Sequence, residues 1–214
     1  MISVLLPTVR PERFMQSLLS VAPAAGRVPY EVVVVADFAD SWLGCNDPLH
    51  HLRCRWVKQV RVGPIEAINE GLRRSRGTYV FVMNDESVLE VDALELLYDE
   101  AVKRPRRVYA PMHLPAYTFT YFGLPFVPFP FMHRDLVTML GGLFDPAYRA
   151  FYADPDLGMR AHQLQVPLVT VEAAVIHHHN GDDEAKRRNW DQFFSLDQAT
   201  FRARWGHLGE FHDC

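Results

Sequence analysis

The sequence predicts an α/β fold in which a mainly parallel sheet is flanked by helices, followed by a less regular C-terminal half. Three observations predict it. Near-continuous apolar runs at 2–6, 31–35 and 79–83 read as strands covered on both faces. Segments with apolar residues at helical spacing alternate with them. The runs end in polar residues: Thr8 with Arg10, then Asp37, then Asn84-Asp85-Glu86.

Taken in order, the run 2–6 is a buried strand ending at Pro7-Thr8. Pro11 then opens a helix with Phe14, Leu18 and Val21 on one face. The second strand, 31–35, ends at Asp37, and 56–60 is a weaker third. After Gly63-Pro64 a helix places Ile65, Ile68 and Leu72 at helical spacing, with Gly77 near its end. The strand 79–83 closes on Asn84-Asp85-Glu86-Ser87, and the next helix turns Leu94, Leu97 and Ala101 inward. The second half holds an aromatic, proline-rich segment at 117–132 and a Gly141-Gly142 turn. A helix near 156–164, an apolar strand at 166–176 and a polar helix from about Asp183 to Arg204 follow. No repeat or linker divides the chain, so a single domain over 1–214 is expected.

Composition narrows the classes. Of 214 residues, 49% are hydrophobic and 22% charged, ordinary for a soluble globular protein. A net charge of -4 argues against a nucleic-acid binder that works by neutralising phosphates. Cys45, Cys54 and Cys214 have no metal-ligand spacing and read as free thiols of a reducing compartment. No charged leader precedes the first strand, and Pro125, Pro128 and Pro130 interrupt the most apolar segment. The expectation is a cytoplasmic protein.

Ligands of an open parallel sheet bind at the carboxyl ends of its strands, so Thr8, Arg10, Asp37, Asn84, Asp85 and Glu86 should meet in one crevice. Together they support a nucleotide-binding α/β domain. Singly, each has an equally good structural reading. Asp37 is also a turn former. Ser87-Val88-Leu89-Glu90 matches a capping box. Asp154-Pro155-Asp156 reads as a helix start, Asp154 capping and Pro155 at the first helical position.

The order of these motifs resembles the family 2 glycosyltransferases of the GT-A fold over nearly the whole chain. Leu6-Pro7-Thr8 with Arg10-Pro11-Glu12 looks like the opening strand and donor loop, and the strand ending at Asp37 like the one that contacts the base. Gly63 through Asn69 and Gly71 resembles the Asn-x-Gly helix, and Asn84-Asp85-Glu86 the acidic metal motif. Gly142-Leu143-Phe144-Asp145 is similar to the acceptor-side turn, and Tyr152-Ala153-Asp154-Pro155-Asp156 to the segment holding the base. Val175-Ile176-His177-His178-His179 resembles the late strand ending in histidine, and Phe201 to Gly206 the terminal helix.

The resemblance implies a nucleotide-sugar-binding half at 1–110 and an acceptor-binding, catalytic half at 111–214. It implies donor and substrate contacts at Pro7, Thr8, Arg10, Glu12, Asp37, Gly63, Asn69, Asn84, Asp85, Gly142 and Asp156. Mn2+ or Mg2+ is expected on Glu86, Asp85 and His177 or a neighbouring histidine, with Asp154 as general base and Asp156 as its rival. The reaction implied is inverting transfer from a nucleoside-diphosphate sugar, a UDP-sugar favoured, to the hydroxyl of an acceptor, a glycan favoured over a lipid-linked glycan, a protein or another hydroxyl-bearing molecule. Two departures stand out: Glu86 replaces the usual second aspartate, and Ala153 the acid before the base. They keep open a degenerate nucleotide-sugar or glycan-binding module. A metal hydrolase using His177, His178, His179, Asp182 and Asp183 is disfavoured, because successive strand residues face opposite ways. The aromatic segment 117–132 reads as core, as a lid, or as a peripheral membrane contact.

Overall fold

The computed structural model describes residues 1–38, 53–60, 63–115, 120–179, 181 and 183–209. Cys45, Asp182, Cys214 and the first residues of the aromatic segment, 117–119, lie outside the described residues.

The first half follows the expected alternation: β1 (Ile2–Thr8), α1 (Phe14–Ala25), β2 (Tyr30–Ala36), β3 (Cys54–Lys58), α2 (Pro64–Arg74) and β4 (Tyr79–Val82). Next come β5 (Ser87–Leu89), α3 (Ala93–Lys103), β6 (Val108–Leu114), β7 (Thr120–Tyr121), β8 (Leu124–Pro125) and β9 (Phe131–His133). The chain continues through α4 (Arg134–Met139), α5 (Ala153–Gln163), β10 (Leu168–His178) and α6 (Glu184–Trp205) into a 3-10 turn, Gly206–Leu208.

Eight strands form one sheet in the order β3-β2-β1-β4-β9-β6-β10-β5. The first four are mutually parallel, as are β6 and β10, whereas β9 and β5 run antiparallel to their neighbours. Thr8 pairs with Ala36 and Leu5 with Val82, which brings the ends of β1, β2 and β4 to the same edge.

Alternation along the strands builds a core on each face. Val4, Leu6, Val32, Val34 and Phe81 pack with Phe14, Leu18 and Val21 of α1 and Leu94 and Leu97 of α3. Leu5, Val33, Val35, Val80 and Val82 pack on the other face with Ile65 and Ile68 of α2 and with Leu157, Phe201 and Trp205. Each such fully buried side chain contributes about 1.5–3 kcal/mol. Gly71 lets α2 lie close, since a Cβ there would meet Val35 Cγ2 at 3.3 Å and Leu5 Cδ2 at 3.5 Å.

Three local readings that the sequence leaves open resolve. Ser87 opens strand β5 rather than a capping box; it pairs with His178, and α3 begins only at Ala93. Asp154 is not a cap either. The residue preceding α5 is Tyr152, left-handed at φ 61, so Asp154 is the helix's second residue. The aromatic segment is interior: Val127, Phe129, Phe131 and Met132 are buried, and Phe131 and Met132 belong to β9. Tyr121, Phe122, Leu124 and Phe126 are partly covered, leaving no large apolar side chain of the segment exposed among the described residues. Among those residues no helix is long and apolar enough to cross a membrane.

Candidate functional site

The strand ends meet as topology requires. A cleft of about 370 Å³ is lined by Pro7, Thr8 and Arg10 after β1, Asp37 after β2, and Asn84 and Asp85 after β4. Gly63, Pro64 and Ala67 at the start of α2 form one wall. The opening turns of α6 form another, with Ala185, Arg188, Asn189, Gln192 and Phe193. Gly63 has φ +97, and a Cβ there would sit 2.5 Å from the Arg149 carbonyl oxygen, so only glycine fits this corner without displacing backbone.

Arg10 organises the acidic turn. Its Nη1 donates to Asp85 Oδ1 at 2.7 Å and its Nε to Asp183 Oδ2 at 2.6 Å, while Nη2 lies 3.2 Å from Glu86 Oε1. Thr8 Oγ1 donates to the other Asp85 oxygen at 2.7 Å. Burial pushes the Asp85 and Glu86 carboxyls above the usual range, and the Arg10 charge pulls both back. Burial also raises Asp183, but hydrogen bonds from Arg10 and from the Lys186 backbone outweigh it and bring it down to about 2. The guanidinium expected to meet a phosphate is therefore engaged by three carboxylates.

β10 runs beside this turn, and the His179 backbone N–H donates to the Glu86 carbonyl at 2.8 Å. Successive side chains diverge. His177 Nε2 lies 2.7 Å from Glu90 Oε1, away from the acidic turn. His178 Nε2 lies 3.1 Å from Asn84 Nδ2 and 3.9 Å from Glu86 Oε2. Burial, followed by the neighbouring charges, drives His178 down to about 4, so it is neutral at pH 7 and its ring nitrogen accepts from the Asn84 amide. The imidazole beside Glu86 is thus His178, where the resemblance pointed to His177; strand alternation is the reason.

Among the described residues no three His, Cys, Asp or Glu side chains are gathered as a metal cage. Divalent cations at phosphate sites commonly take only one or two protein carboxylates, completing their shell with phosphate and water. Glu86 Oε1 suits that chemistry: it is a buried hard donor with no hydrogen-bond partner among the described residues. Asp85 lies beside it with its two oxygens held by Arg10 and Thr8, so Glu86 Oε1 is the atom that fits such a cation.

The other expected residues divide. Glu12 lines a second, open cleft on the far side of Asp85 and Glu86, with Arg13 and His179. Asn69 does not line the main cleft; its Nδ2 donates to the Phe144 carbonyl at 2.9 Å and ties α2 to the Gly142 turn. That turn is held in addition by Arg160, whose Nη1 donates to the Leu140 and Gly142 carbonyls. Asp154 lies outside the cleft lining, and burial alone lifts its carboxyl to about 7.

Asp156 has a structural occupation. Fully buried, it accepts from Arg160 Nε at 2.8 Å, Arg204 Nη1 at 2.9 Å, Trp205 Nε1 at 3.0 Å and the Tyr148 hydroxyl at 3.3 Å. A carboxylate so filled is not open to an acceptor proton, which removes Asp156 as the rival base. Asp197 escaped the sequence reading. Also buried, it accepts from the backbone N–H groups of Arg149, Ala150 and Phe151 and pins the loop leading to Asp154. Its trace in sequence is a carboxylate set within the stripe Phe194, Phe201 and Trp205, on the inward face of the last helix.

The description "Glycosyl transferase family 2" belongs to a family model that matches residues 3–125, more than half of the chain. No curated protein matches the sequence. Among solved structures, S. aureus TarS aligns over 94% of this chain and 43% of its own at a TM-score of 0.63 and 15% identity. TarS 1-349 in complex with UDP-GlcNAc gives 0.65 at 16% identity, over 85% of this chain and 59% of that one. GalNAc-T7 with UDP, GalNAc and Mn2+ gives 0.65 at 14% identity, over 83% and 43%. At these identities the likeness shows the fold, which is GT-A, and the chain spans roughly half the length of these neighbours.

Proposed function

Since the chain belongs to glycosyl transferase family 2, we propose that it transfers a sugar from a nucleoside diphosphate, uridine favoured, to a glycan hydroxyl with inversion. One observation carries the reading: Thr8, Arg10, Asp37, Asn84 and Asp85, from three separate strand ends, line a single cleft under α6. UDP-GlcNAc on one structural neighbour and UDP with Mn2+ on another favour the uridine donor. In this reading 1–110 supplies most of the donor site, the opening turns of α6 close one wall of it, and the rest of 111–214 serves the acceptor, within one domain.

Asp37 accepts from an N–H of the base at the mouth of β2. Glu86, with Asp85 beside it and His178 as the nearest imidazole, would hold Mn2+ or Mg2+, which as a Lewis acid would offset the charge growing on the leaving diphosphate. Asp154 takes the proton of the attacking hydroxyl. A carboxylate titrating near 7 is a stronger base than an ordinary one yet still ionised in a large fraction of molecules at neutral pH. One base and one displacement give inversion.

A thermal-shift screen of nucleoside diphosphates and their sugars, with and without Mn2+, tests the donor class, because a specific binder raises Tm by mass action. A metal-enhanced shift with UDP or a UDP-sugar is expected, followed by UDP release when glycan acceptors are supplied. Binding without release would leave a nucleotide-sugar-binding module; no shift with any nucleotide would end the proposal.

A further inference from the structure

The acidic turn has no spare positive charge for an incoming diphosphate. Arg10 is taken by Asp85, Glu86 and Asp183, and Arg13 lies 3.0 Å from Asp183 and 3.7 Å from Glu86. Lys186 Nζ is drawn to within 3.8 Å of Glu86. Three cations thus face three carboxylates. Arg188 differs. One turn into α6 and half-buried, it lines the main cleft and an adjoining recess of about 200 Å³ bounded by Val9, Arg10, Glu12, Arg13, Asp183 and Glu184. Among the described residues no hydrogen bond or ion pair engages it. Asn189 and Gln192, on the same wall, add amide donors.

A half-buried guanidinium with no ion-pair partner gives up part of its hydration without compensation, and its planar fork matches two oxygens of a phosphate. We propose that Arg188 binds the donor's diphosphate, so that the last helix, beyond the 3–125 stretch matched by the family, completes the nucleotide-sugar site. The inference deepens the donor-site reading above and rests on it.

The test uses the full chain and isothermal calorimetry. The nucleoside diphosphate bound most tightly by wild type, among UDP, GDP, CDP, ADP and TDP, is compared with its own nucleoside. Arg188→Ala should weaken the diphosphate by roughly ten- to one-hundred-fold, the range of one charge-assisted hydrogen-bonded contact, and leave the nucleoside unchanged. Arg188→Lys, which keeps the charge and loses the fork, should fall between. The diphosphate affinity of Arg188→Ala should also depend less on salt than that of wild type. Equal diphosphate affinity in wild type and Arg188→Ala overturns the assignment, as does equal weakening of nucleoside and diphosphate. If wild type itself binds none of the five, the donor-site reading fails first and the inference with it.

Discussion

Trp205 Nε1 donates a hydrogen bond to Asp156 Oδ1 at 3.0 Å, and this buried contact fastens the last turn of α6 to the first turn of α5. Arg204 joins from the same helix end, and Asp197, further back on α6, pins the three backbone amides of the loop ahead of α5. The terminal helix therefore braces the chain on both sides of Asp154 while its opening turns wall the donor cleft.

Asp156→Ala should be among the most damaging substitutions in the protein. It strands the Trp205 indole N–H and leaves Arg160 and Arg204 without their shared partner, and breaking a buried pair from one side costs about 3–5 kcal/mol. Denaturant titration should show that loss. Trp205→Phe keeps the ring and deletes the donor, so a smaller loss of about 1–3 kcal/mol is expected. Equal stability of Asp156→Ala and wild type would refute the brace.

Asp197→Ala separates bracing from chemistry. Three buried backbone donors lose their acceptor, which should destabilise the protein by about 2–4 kcal/mol and loosen the loop before Asp154. Turnover should fall further than UDP affinity, because Asp197 does not itself line the donor cleft and touches it only through Arg149, whose carbonyl abuts Gly63. Hydrogen exchange at 149–153 would report the loosening; unchanged protection there would place the anchor elsewhere.

The parallel half was legible because each strand carries its own evidence. Runs such as 32–35 are apolar on both faces, and residues at their ends face one edge by topology alone. Partner choice was not legible. Nothing local to Ser87 distinguishes a capping box from a strand; the ladder with His178, far along the chain, decides it. The same holds for Arg10, whose sequence neighbourhood shows a cation beside a donor loop but not Asp183 folding back onto it. Asp156 stood as a rival to Asp154 because both sit in one short motif; Trp205 and Arg204 separate them only in three dimensions.

The histidines offer a contrast within one strand. Glu86→Ala should abolish the Mn2+-dependent part of the UDP thermal shift, and His178→Ala should reduce it. His177→Ala, which loses only an exposed pair with Glu90, should leave it intact and cost at most about 1 kcal/mol. A reversal of the two histidine results would return His177 to the site.

Asp154 yields the sharpest test because its charge affects stability and turnover in opposite senses. Its carboxyl titrates near 7 in the folded protein against an ordinary 3.8. Between those values the folded state holds more protons than the unfolded one, so the unfolding free energy falls as pH rises from about 4 to about 7. Asp154→Asn has no such proton. Its stability should vary less across that window, and at pH 8, where wild type carries a desolvated charge, the variant should be the more stable of the two. Turnover should move the other way: kcat/KM of wild type should climb through pH 7 as the base ionises, and Asp154→Asn should lose about 100-fold or more while binding UDP normally. A variant with unchanged turnover would remove Asp154 from the mechanism. One less stable than wild type at pH 8 would show that burial does not burden this carboxylate.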